Sequence, residues 1–393
     1  MRDAINNQIG AVITGGDFQA LGVLRTLGRK GVPVVVLDSD HCIAKYSKYK
    51  GKFFKSPSLS DEQNYVRFLI ELAEKEDLGG WVIFPNSDEA VYLLSKHRDT
   101  LQEFYRIPTP SWDVIQNVYV KKNTYQLAEK ANIPIPTTYY PNNLEELLAL
   151  DLQFPVVIKP SVRDNFYNKM RIKAFRIDDR DKLIETYHLV CSLIPPTEVL
   201  VQDLIPGGPT HLYSFCPFFK NGKTLAGIAA RRARQHPMDF GHASTFAETV
   251  DLPILQETAE AFLKLIDYYG LAEVEFMHDP RDEKYRLLEV NPRVWGWHTL
   301  AIAAGADLPY LLYQDMLGRT IEETPVTNHA KWVRLTTDLP TVAIEIGKGR
   351  VKLRDYISSM KGKKEFAVFS LEDPLPFLAE LALLPYLWRK RGF

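Results

Sequence analysis

The chain has 393 residues, of which 46% are hydrophobic and 25% charged, the composition of an ordinary globular protein with room for two or three domains. Lysine and arginine together number 48, against 49 aspartate and glutamate residues. This balance provides no overall field that would attract nucleic acid, so any anion binding must come from local clusters of charge.

The three cysteines, Cys42, Cys191 and Cys216, lie far apart, and none has the spacing of a zinc ligand pair. They argue against a disulfide framework and favour a reducing compartment. The first residues lack a charged segment followed by an apolar one, and no run reaches the roughly 20 apolar residues of a membrane span. We therefore expect a cytoplasmic protein.

The first predicted elements alternate between strands and helices. Residues 10–38 predict a strand, a glycine-containing turn, a helix and a second strand, and residues 78–94 repeat the strand–turn–helix pattern. Strands that alternate with helices of 10–15 residues are typical of parallel βαβ units. The sequence thus predicts a small doubly wound domain over about residues 1–113.

The first turn, TGGDFQALG, is open to two interpretations. It could hold a nicotinamide or flavin dinucleotide, since Asp38 ends the second strand. However, its GGxxxxxG spacing lacks the middle glycine of the dinucleotide fingerprint. We favour the second interpretation, in which the glycines allow the helix to pack tightly against the strand.

The next elements place two lysines at positions that are unusual for surface charge. VKKNTYQLAEKANIPIP predicts a helix that starts near Lys121 or its neighbour Lys122 and is stopped by the prolines. FPVVIKP predicts a short strand that ends in Lys159. EVLVQDLIPGG predicts another strand, and the following residues predict a hairpin that turns at Asn221–Gly222.

Two strands further on, LAEVEFMHD and KYRLLEVN, predict a second hairpin with polar residues on one face. A hairpin centred on Asp282 brings Glu275 directly opposite Glu289, with Asn291 on the same face. Like charges in this position are unfavourable unless a cation lies between them. Two carboxylates and an amide oxygen suit Mg²⁺ or Mn²⁺, and Arg293 is a forked donor suited to phosphate. The alternative is a pair of solvent-facing strands with ordinary salt bridges.

A nucleotide triphosphate would join these features, because its phosphates would bridge the metal ions and give the upstream lysines their counter-charges. With these residues in place, the chain resembles the ATP-grasp superfamily, and in particular its carboxylate–amine ligase branch. The resemblance spans about residues 10–320 and is carried by the glycine-containing start, KKNTYQLAEKANIPIP, FPVVIKP, VLVQDLIPGG, ARRARQHP and EVEF…LLEVNPRVWGWH.

The resemblance implies an α/β and α+β architecture with four parts. A Rossmann-like N-terminal domain (residues 1–113) precedes a two-subdomain ATP-grasp fold, made of a small subdomain (114–200) and a C-terminal subdomain with the metal site (201–320). Residues 321–393 form an extension outside the family core. ATP would lie between the two subdomains.

The resemblance also assigns residues to roles. Lys121 and Lys159 would contact the phosphates or adenine of ATP, and Arg293 would contact the transferred phosphate. Arg232 or Arg234 would anchor the substrate carboxylate or the acyl phosphate. The adenine hinge would be formed by Gln202, Asp203, Leu204 and Ile205, and the Mg²⁺ ions, two in number, would be held by Glu275, Glu289 and Asn291.

Three features depart from the family pattern. The segment SVRDNFYNKMRIK has no glycine where many relatives have a glycine-rich phosphate loop, so Lys169 or Lys173 would cover the phosphates instead. Asp203 stands in the hinge where glutamate is commoner. His211 stands where relatives often carry an acidic residue, which puts the ribose contact at that position in doubt.

The sequence therefore predicts an ATP-dependent ligase that activates a small-molecule carboxylate for attack by an amine, and a homodimer is compatible with it. His236, His242 and His298 are candidate acid–base groups, and Trp297 is a candidate wall of the acceptor pocket. The alternatives are another ATP-grasp reaction, such as carboxylation or ligation to a thiol, and an ATP-binding protein without turnover. A nicotinamide oxidoreductase is disfavoured by the broken glycine fingerprint.

The C-terminal segment LPFLAELALLPYLWRKRGF also has two interpretations. It could be a helix that docks on the body of the protein. Alternatively, it could be an interfacial helix whose Arg389, Lys390 and Arg391 contact anionic lipid. Only the second interpretation predicts a peripheral membrane contact.

Overall fold

The computed structural model of the chain describes residues 8–162, 166, 170, 172–238, 241, 243–324, 326 and 329–391. It contains helices and three β-sheets, of five, four and eight strands. The mixed α/β architecture predicted from the sequence is confirmed.

The five-stranded sheet is parallel and lies at the start of the chain. Its strands, in the spatial order β3-β2-β1-β4-β5, are β1 (Ala11–Thr14), β2 (Val34–Asp38), β3 (Lys52–Lys55), β4 (Trp81–Pro85) and β5 (Tyr105–Arg106). Its connecting helices are Phe18–Arg29, Glu62–Lys75, Asp88–Lys96 and Arg98–Leu101. All four residues of β1 are buried, as expected where helices cover both faces of a parallel sheet.

The glycines in and after the turn that follows β1 lie close to other parts of the chain. A Cβ atom on Gly16 would lie 2.4 Å from Cys42 Sγ, and one on Gly22 would lie 2.6 Å from the His298 ring. Asp38 accepts a hydrogen bond from the Gly16 amide at 2.7 Å. These glycines therefore allow close packing, against the loop after β2 and against His298, and packing of the helix on β1 itself stays a prediction.

The four-stranded sheet follows the helices Trp112–Tyr119 and Lys121–Lys130. Its strands, in the order β6-β9-β7-β8, are β6 (Thr138–Tyr139), β7 (Val156–Pro160), β8 (Phe175–Ile177) and β9 (Val199–Asp203), and its helices are Leu144–Leu148 and Arg180–Cys191. Because β9 pairs with β7 and β6, the predicted boundary between residues 200 and 201 falls inside a strand. The whole of β9 therefore belongs to the four-stranded sheet.

The eight-stranded sheet forms the largest part of the fold. Its path is β15-β14-β10-β11-β12-β16-β17, with β13 pairing beside β10, and its strands are β10 (Leu212–Lys220), β11 (Lys223–His236), β12 (Ala243–Val250), β13 (Gly270–Leu271), β14 (Glu273–Asp279), β15 (Lys284–Asn291), β16 (Lys331–Val333) and β17 (Glu365–Phe366). Its helices are Pro253–Leu265, Thr299–Ala303, Leu308–Met316, Leu335–Gly347 and Leu353–Ser359. Two strands of the predicted extension thus belong to this sheet.

Both predicted hairpins are present. Asn221 and Gly222 have φ values of 53° and 76°, which are the left-handed conformations that a two-residue hairpin turn requires. In the second hairpin Glu275 pairs with Glu289, as predicted, and Glu273 pairs with Asn291. A bulge after Glu275 then shifts the register, so that Phe276 pairs with Leu287.

The chain ends in the helix Leu375–Arg391, which we call the C-terminal helix. Glu380, on its inner face, is 1% exposed and accepts hydrogen bonds from Arg334 at 3.1 and 2.6 Å. Leu375, Leu378 and Leu381, on its outer face, are between 43% and 56% exposed. Within the described part of the chain, no helix combines the length and apolarity needed to cross a bilayer.

Candidate active site

A cavity of about 750 Å³, the main cavity, opens where the three sheets meet. Each sheet supplies part of its wall: Asp88 follows β4 of the first sheet, Lys159 lies on β7 of the second, and Glu275 lies on β14 of the third. Side chains that are distant in the sequence therefore converge on one space.

Three buried polar side chains of the β14–β15 hairpin form one wall. Glu273, Glu275 and Asn291 are all less than 10% exposed, and the Asn291 amide nitrogen donates to Glu273 at 3.1 Å and to Glu275 at 2.9 Å. Burial, and after it the negative charge of Glu275, raise the pKa of Glu273. The wall therefore concentrates negative charge that a cation would stabilise.

Two arginines meet this wall. Arg232, on β11, pairs with Glu275. Arg293 makes a bidentate ion pair with Asp88, with Nε and Nη2 at 2.6 and 3.0 Å from the two carboxylate oxygens. Arg293 also lies 3.4 Å from Asn291 Oδ1. It therefore stands between the carboxylate hairpin and the N-terminal domain.

The two predicted lysines both line the main cavity. Lys121, at the start of its helix, pairs with Glu289, one of the two opposed carboxylates. Lys159 donates to the Tyr125 hydroxyl at 2.6 Å and to Gln202 Oε1 at 2.7 Å. These bonds fix each ammonium group at the cavity wall.

The predicted hinge residues Gln202, Asp203, Leu204 and Ile205 also line the main cavity. The Asp203 amide donates to the Thr137 carbonyl at 3.0 Å and the Leu204 amide to the Pro155 carbonyl at 3.3 Å. His211, placed next to this region, donates from Nδ1 to the Gly207 carbonyl at 2.7 Å and stacks on His278.

Not every predicted site residue in the described part of the chain lines the main cavity. Arg234 lies outside its wall, because its Nε and Nη2 each lie 2.8 Å from Asp338 and its guanidinium stacks 4.1 Å from the Phe246 ring centroid. Lys173 lines the cavity and donates to the Gly241 carbonyl at 3.0 Å. Lys169 lies outside the described residues.

The candidate acid–base histidines and the candidate pocket tryptophan also differ in whether they line the main cavity. His236 lines the main cavity, and burial lowers its pKa. His298 is 1% exposed and is held by the Trp295 carbonyl at 2.9 Å, away from the cavity wall. Trp297 lines the cavity, and His242 lies outside the described residues.

One wall was missed by the sequence analysis. Asp17, Asn86, Asp88 and Glu89 follow β1 and β4, at the carboxyl ends of parallel strands, and all four line the main cavity. Ligands bind at this edge of open α/β sheets. The segment FPNSDEA, a strand end followed by polar residues, could therefore have predicted this wall. Arg334, which also lines the cavity, carried no such signal in its local sequence.

The predicted metal ligands are two carboxylates and an amide of the β14–β15 hairpin. The described residues include no group of three or more His, Cys, Asp and Glu side chains arranged to hold a metal ion. The opposed Glu275 and Glu289 nevertheless provide an oxygen-only donor set, which suits Mg²⁺ or Mn²⁺ when substrate phosphates complete the shell. In the present arrangement Lys121 and Arg232 neutralise the two carboxylates.

The arrangement is suited to phosphoryl transfer. Such reactions need cations around the transferred group and fixed positions for the reactants, and they need no covalent protein nucleophile. The lysines, the arginines and the paired carboxylates of the main cavity provide these elements. The acidic wall formed by Asp17, Asp88 and Glu89 offers a place for a second, positively charged reactant.

The chain is similar in sequence to known proteins. Residues 218–338 match a family described as ATP-grasp in the biosynthetic pathway with Ter operon. D-aspartate ligase of Enterococcus faecium (strain Aus0004) is 23% identical over 363 residues, which cover 86% of this chain and 85% of that protein.

Solved structures share the fold. L-amino acid ligase from Bacillus licheniformis superimposes with a TM-score of 0.62 at 14% identity, covering 79% of this chain and 74% of that one. The biotin carboxylase domain of Hydrogenobacter thermophilus 2-oxoglutarate carboxylase, solved as a dimer with MgADP, gives a TM-score of 0.66 at 15% identity and covers 82% and 73%. By sequence and by fold, the chain is therefore similar to ATP-grasp proteins and to amino-acid ligases.

Proposed function

We propose that this protein is an ATP-dependent ligase that joins a small-molecule carboxylate to an amine. The observation that carries the proposal is the combination of cations and opposed carboxylates in the main cavity. Lys121 and Arg232 lie beside the opposed Glu289 and Glu275, and Lys159 lines the same cavity. This set suits a triphosphate with its metal ions, whereas Asp17 and Glu89, which follow strands of the first sheet, suit an amine.

The reaction follows from the chemistry of the reactants. A carboxylate oxygen attacks the γ-phosphorus of ATP, so that ADP leaves and an acyl phosphate forms. The amine nitrogen then attacks the acyl carbon, inorganic phosphate leaves, and one proton is released. The protein has to position the reactants and neutralise charge that develops during each transfer.

The roles assigned to individual residues are part of the proposal. Glu275, Glu289 and Asn291 would hold two Mg²⁺ ions, which would neutralise phosphate charge when bound. Lys121 and Lys159 would contact ATP, with the hinge residues 202–205 around its base. Arg293, fixed by Asp88, would contact the transferred phosphate.

The substrate carboxylate is assigned to Arg232. Its Nε has no hydrogen-bond partner among the described residues, although this atom is buried and its residue lines the main cavity. Arg234, the other arginine considered for this role, is occupied by Asp338. Lys173 is assigned to phosphate cover, and a ribose contact at His211 stays a prediction.

Other ATP-grasp reactions are the alternative function. The biotin carboxylase likeness shows a shared fold, and carboxylation would use bicarbonate in place of an organic carboxylate. The ligase is favoured because the similarity to D-aspartate ligase extends over most of both chains and because an acidic wall suits an amine acceptor.

The proposed activity can be tested with hydroxylamine, a small amine that traps acyl phosphates as hydroxamates. With MgATP and a pool of carboxylates, we expect ADP release together with hydroxamate formation, and MgATP but not NAD should raise Tm. Glu289→Gln removes one of the opposed carboxylates, so activity should fall by about a hundredfold or more if the carboxylate holds a metal ion.

The matched control for this test is Glu283→Gln. Glu283 lies at the turn of the same hairpin with a side chain that is 77% exposed, so the control should keep wild-type activity. Unchanged ADP release in Glu289→Gln would remove the metal assignment. Stabilisation by NAD without any effect of MgATP would contradict the ligase function itself.

A peripheral membrane contact through the C-terminal helix is a separate proposal. It is supported by the exposed Leu375, Leu378 and Leu381 on one face of that helix and by the exposed Arg389 near its end. Sedimentation with vesicles containing phosphatidylserine should capture the protein, and the double variant Leu375→Ser, Leu378→Ser should weaken capture at least about tenfold.

Leu353→Ser is the control, since Leu353 is 57% exposed on a different helix. Absence of wild-type capture, or equal loss in the control, would contradict the membrane contact. A cytoplasmic location and a homodimer also remain predictions, and sedimentation equilibrium of the purified chain would test the dimer.

A further inference from the structure

A second, smaller cavity of about 250 Å³ lies beside the main cavity. Its floor is the carboxyl edge of the parallel sheet, where Gly15 follows β1, Asp38 ends β2 and Asn86 follows β4. The strand order β3-β2-β1-β4-β5 reverses direction at β1, and open α/β sheets bind ligands at such a reversal. The C-terminal helix closes the cavity with Glu380 and Leu387.

Two residues in this wall each have a buried oxygen atom with no hydrogen-bond partner in the described part of the chain. Glu380 uses Oε1 to accept from Arg334, and its Oε2 has no partner among the described residues. The Asn86 side chain donates from Nδ2 to Asp17 at 2.7 Å, which fixes the amide orientation and leaves Oδ1 without a described partner. Buried acceptors of this kind are rare in native proteins and indicate a bound donor.

The charge of the wall specifies the donor. Carboxylates of Asp17, Asp38 and Glu89 line the smaller cavity in addition to Glu380. The basic residues in its wall are His41 and Arg334, and the charge of Arg334 is already matched by Glu380. An anion would meet like charge, whereas an ammonium group brings a positive charge and three donors to a site with two unfilled acceptors.

The two cavities adjoin each other along a shared wall. Asp17, Phe18, Asn86, Ser87, Glu89 and Arg334 line both of them. Next to this shared wall, Asp88 holds Arg293, to which we assigned the transferred phosphate. A molecule that binds across this wall would have its reacting end in the main cavity and its other end in the smaller one.

We propose that the smaller cavity binds a protonated amino group at the far end of the acceptor, so that the acceptor is a compound with two amino groups. One amine attacks the acyl phosphate, and the other is recognised by Glu380 and Asn86. This inference rests on the proposed ligase function. It also gives the residues beyond 320 a role, because Glu380 selects the acceptor.

The test compares three probes of similar chain length that differ in their terminal charge: 1,4-diaminobutane, 1-aminobutane and 4-aminobutanoate. Titration calorimetry on the full chain, with Mg²⁺ and a non-hydrolysable ATP analogue, should rank them in that order. We expect the diamine to bind at least about tenfold more tightly than the monoamine, the size expected for charge-assisted hydrogen bonds.

The variant Glu380→Gln should abolish this preference. Glutamine can still accept from Arg334 through its oxygen, but its amide nitrogen would present hydrogens to the ammonium group. The neighbouring Glu372→Gln is the control, because Glu372 is exposed and pairs with Arg29 on the surface. It should retain the wild-type ratio.

Each outcome has a definite meaning. Equal binding of diamine and monoamine by the wild type would show that water alone fills the cavity and would overturn the inference, even if Glu380→Gln did not fold. Parallel loss of all three probes in Glu380→Gln would assign Glu380 a purely structural role. Hydroxamate formation by the wild type reports the ligase function separately, so the two proposals can fail independently.

Discussion

His298 illustrates how burial decides the role of a single residue. The sequence made it a candidate acid–base group, but the ring is enclosed, with Nδ1 at the Trp295 carbonyl and Nε2 without a partner among the described residues. Removal from water lowers the pKa of His298 to about 4, although Asp307 and Asp17 act in the opposite direction. The histidine is therefore neutral over the range in which enzymes usually work.

This burial predicts a pH dependence of stability. The unfolded histidine has a pKa of about 6.5, so between pH 6.5 and 4 the unfolded state binds the additional proton and stability falls as the pH falls. The contribution is fully present above pH 6.5. Urea unfolding should show that the wild type loses about 2 kcal/mol more than His298→Gln between pH 7 and pH 4.5.

The comparison of the two proteins is the control, because the other titrating groups are common to both. Equal losses in the wild type and in His298→Gln would contradict the assignment of a depressed pKa to this ring. His298 lies outside the wall of the main cavity, so its titration bears on stability and not directly on the site.

Among the structural elements, hairpins were the most predictable from sequence. Alternation and turn chemistry are local properties, so Asn221–Gly222 and the opposition of Glu275 and Glu289 could both be read from a few residues. The bulge after Glu275 could not, because a shift in register depends on how β15 packs against its neighbours.

Contacts between residues that are distant in the sequence were harder to predict. Arg234 follows Arg232 by two residues in the same motif on β11. However, it forms a buried ion pair with Asp338, which is 104 residues further along the chain. Arg334 reaches the cavity because Glu380 holds it from the C-terminal helix. Neither ion pair is visible in a local sequence pattern, so neither could be predicted before the fold was known.

At the scale of the whole molecule, the last residues are integrated with the first domain. Asp373 is 1% exposed and accepts hydrogen bonds from Arg25 Nε at 3.0 Å, from Ser47 Oγ at 2.7 Å and from the Lys48 amide at 2.9 Å. Arg25 also donates to the Asp373 carbonyl at 2.8 Å. This cluster attaches the segment before the C-terminal helix to the N-terminal domain.

The cluster predicts that loss of one carboxylate affects the stability of the whole chain. Asp373→Ala would leave the buried Arg25 without its counter-charge, and breaking such a pair costs about 3 kcal/mol or more. Urea unfolding should show this loss as a lower midpoint. Glu372→Gln, one residue earlier in an exposed ion pair with Arg29, should leave the midpoint nearly unchanged. A similar midpoint for both variants would mean that the segment is not anchored through Asp373, and the closure of the smaller cavity by Glu380 would then need another support.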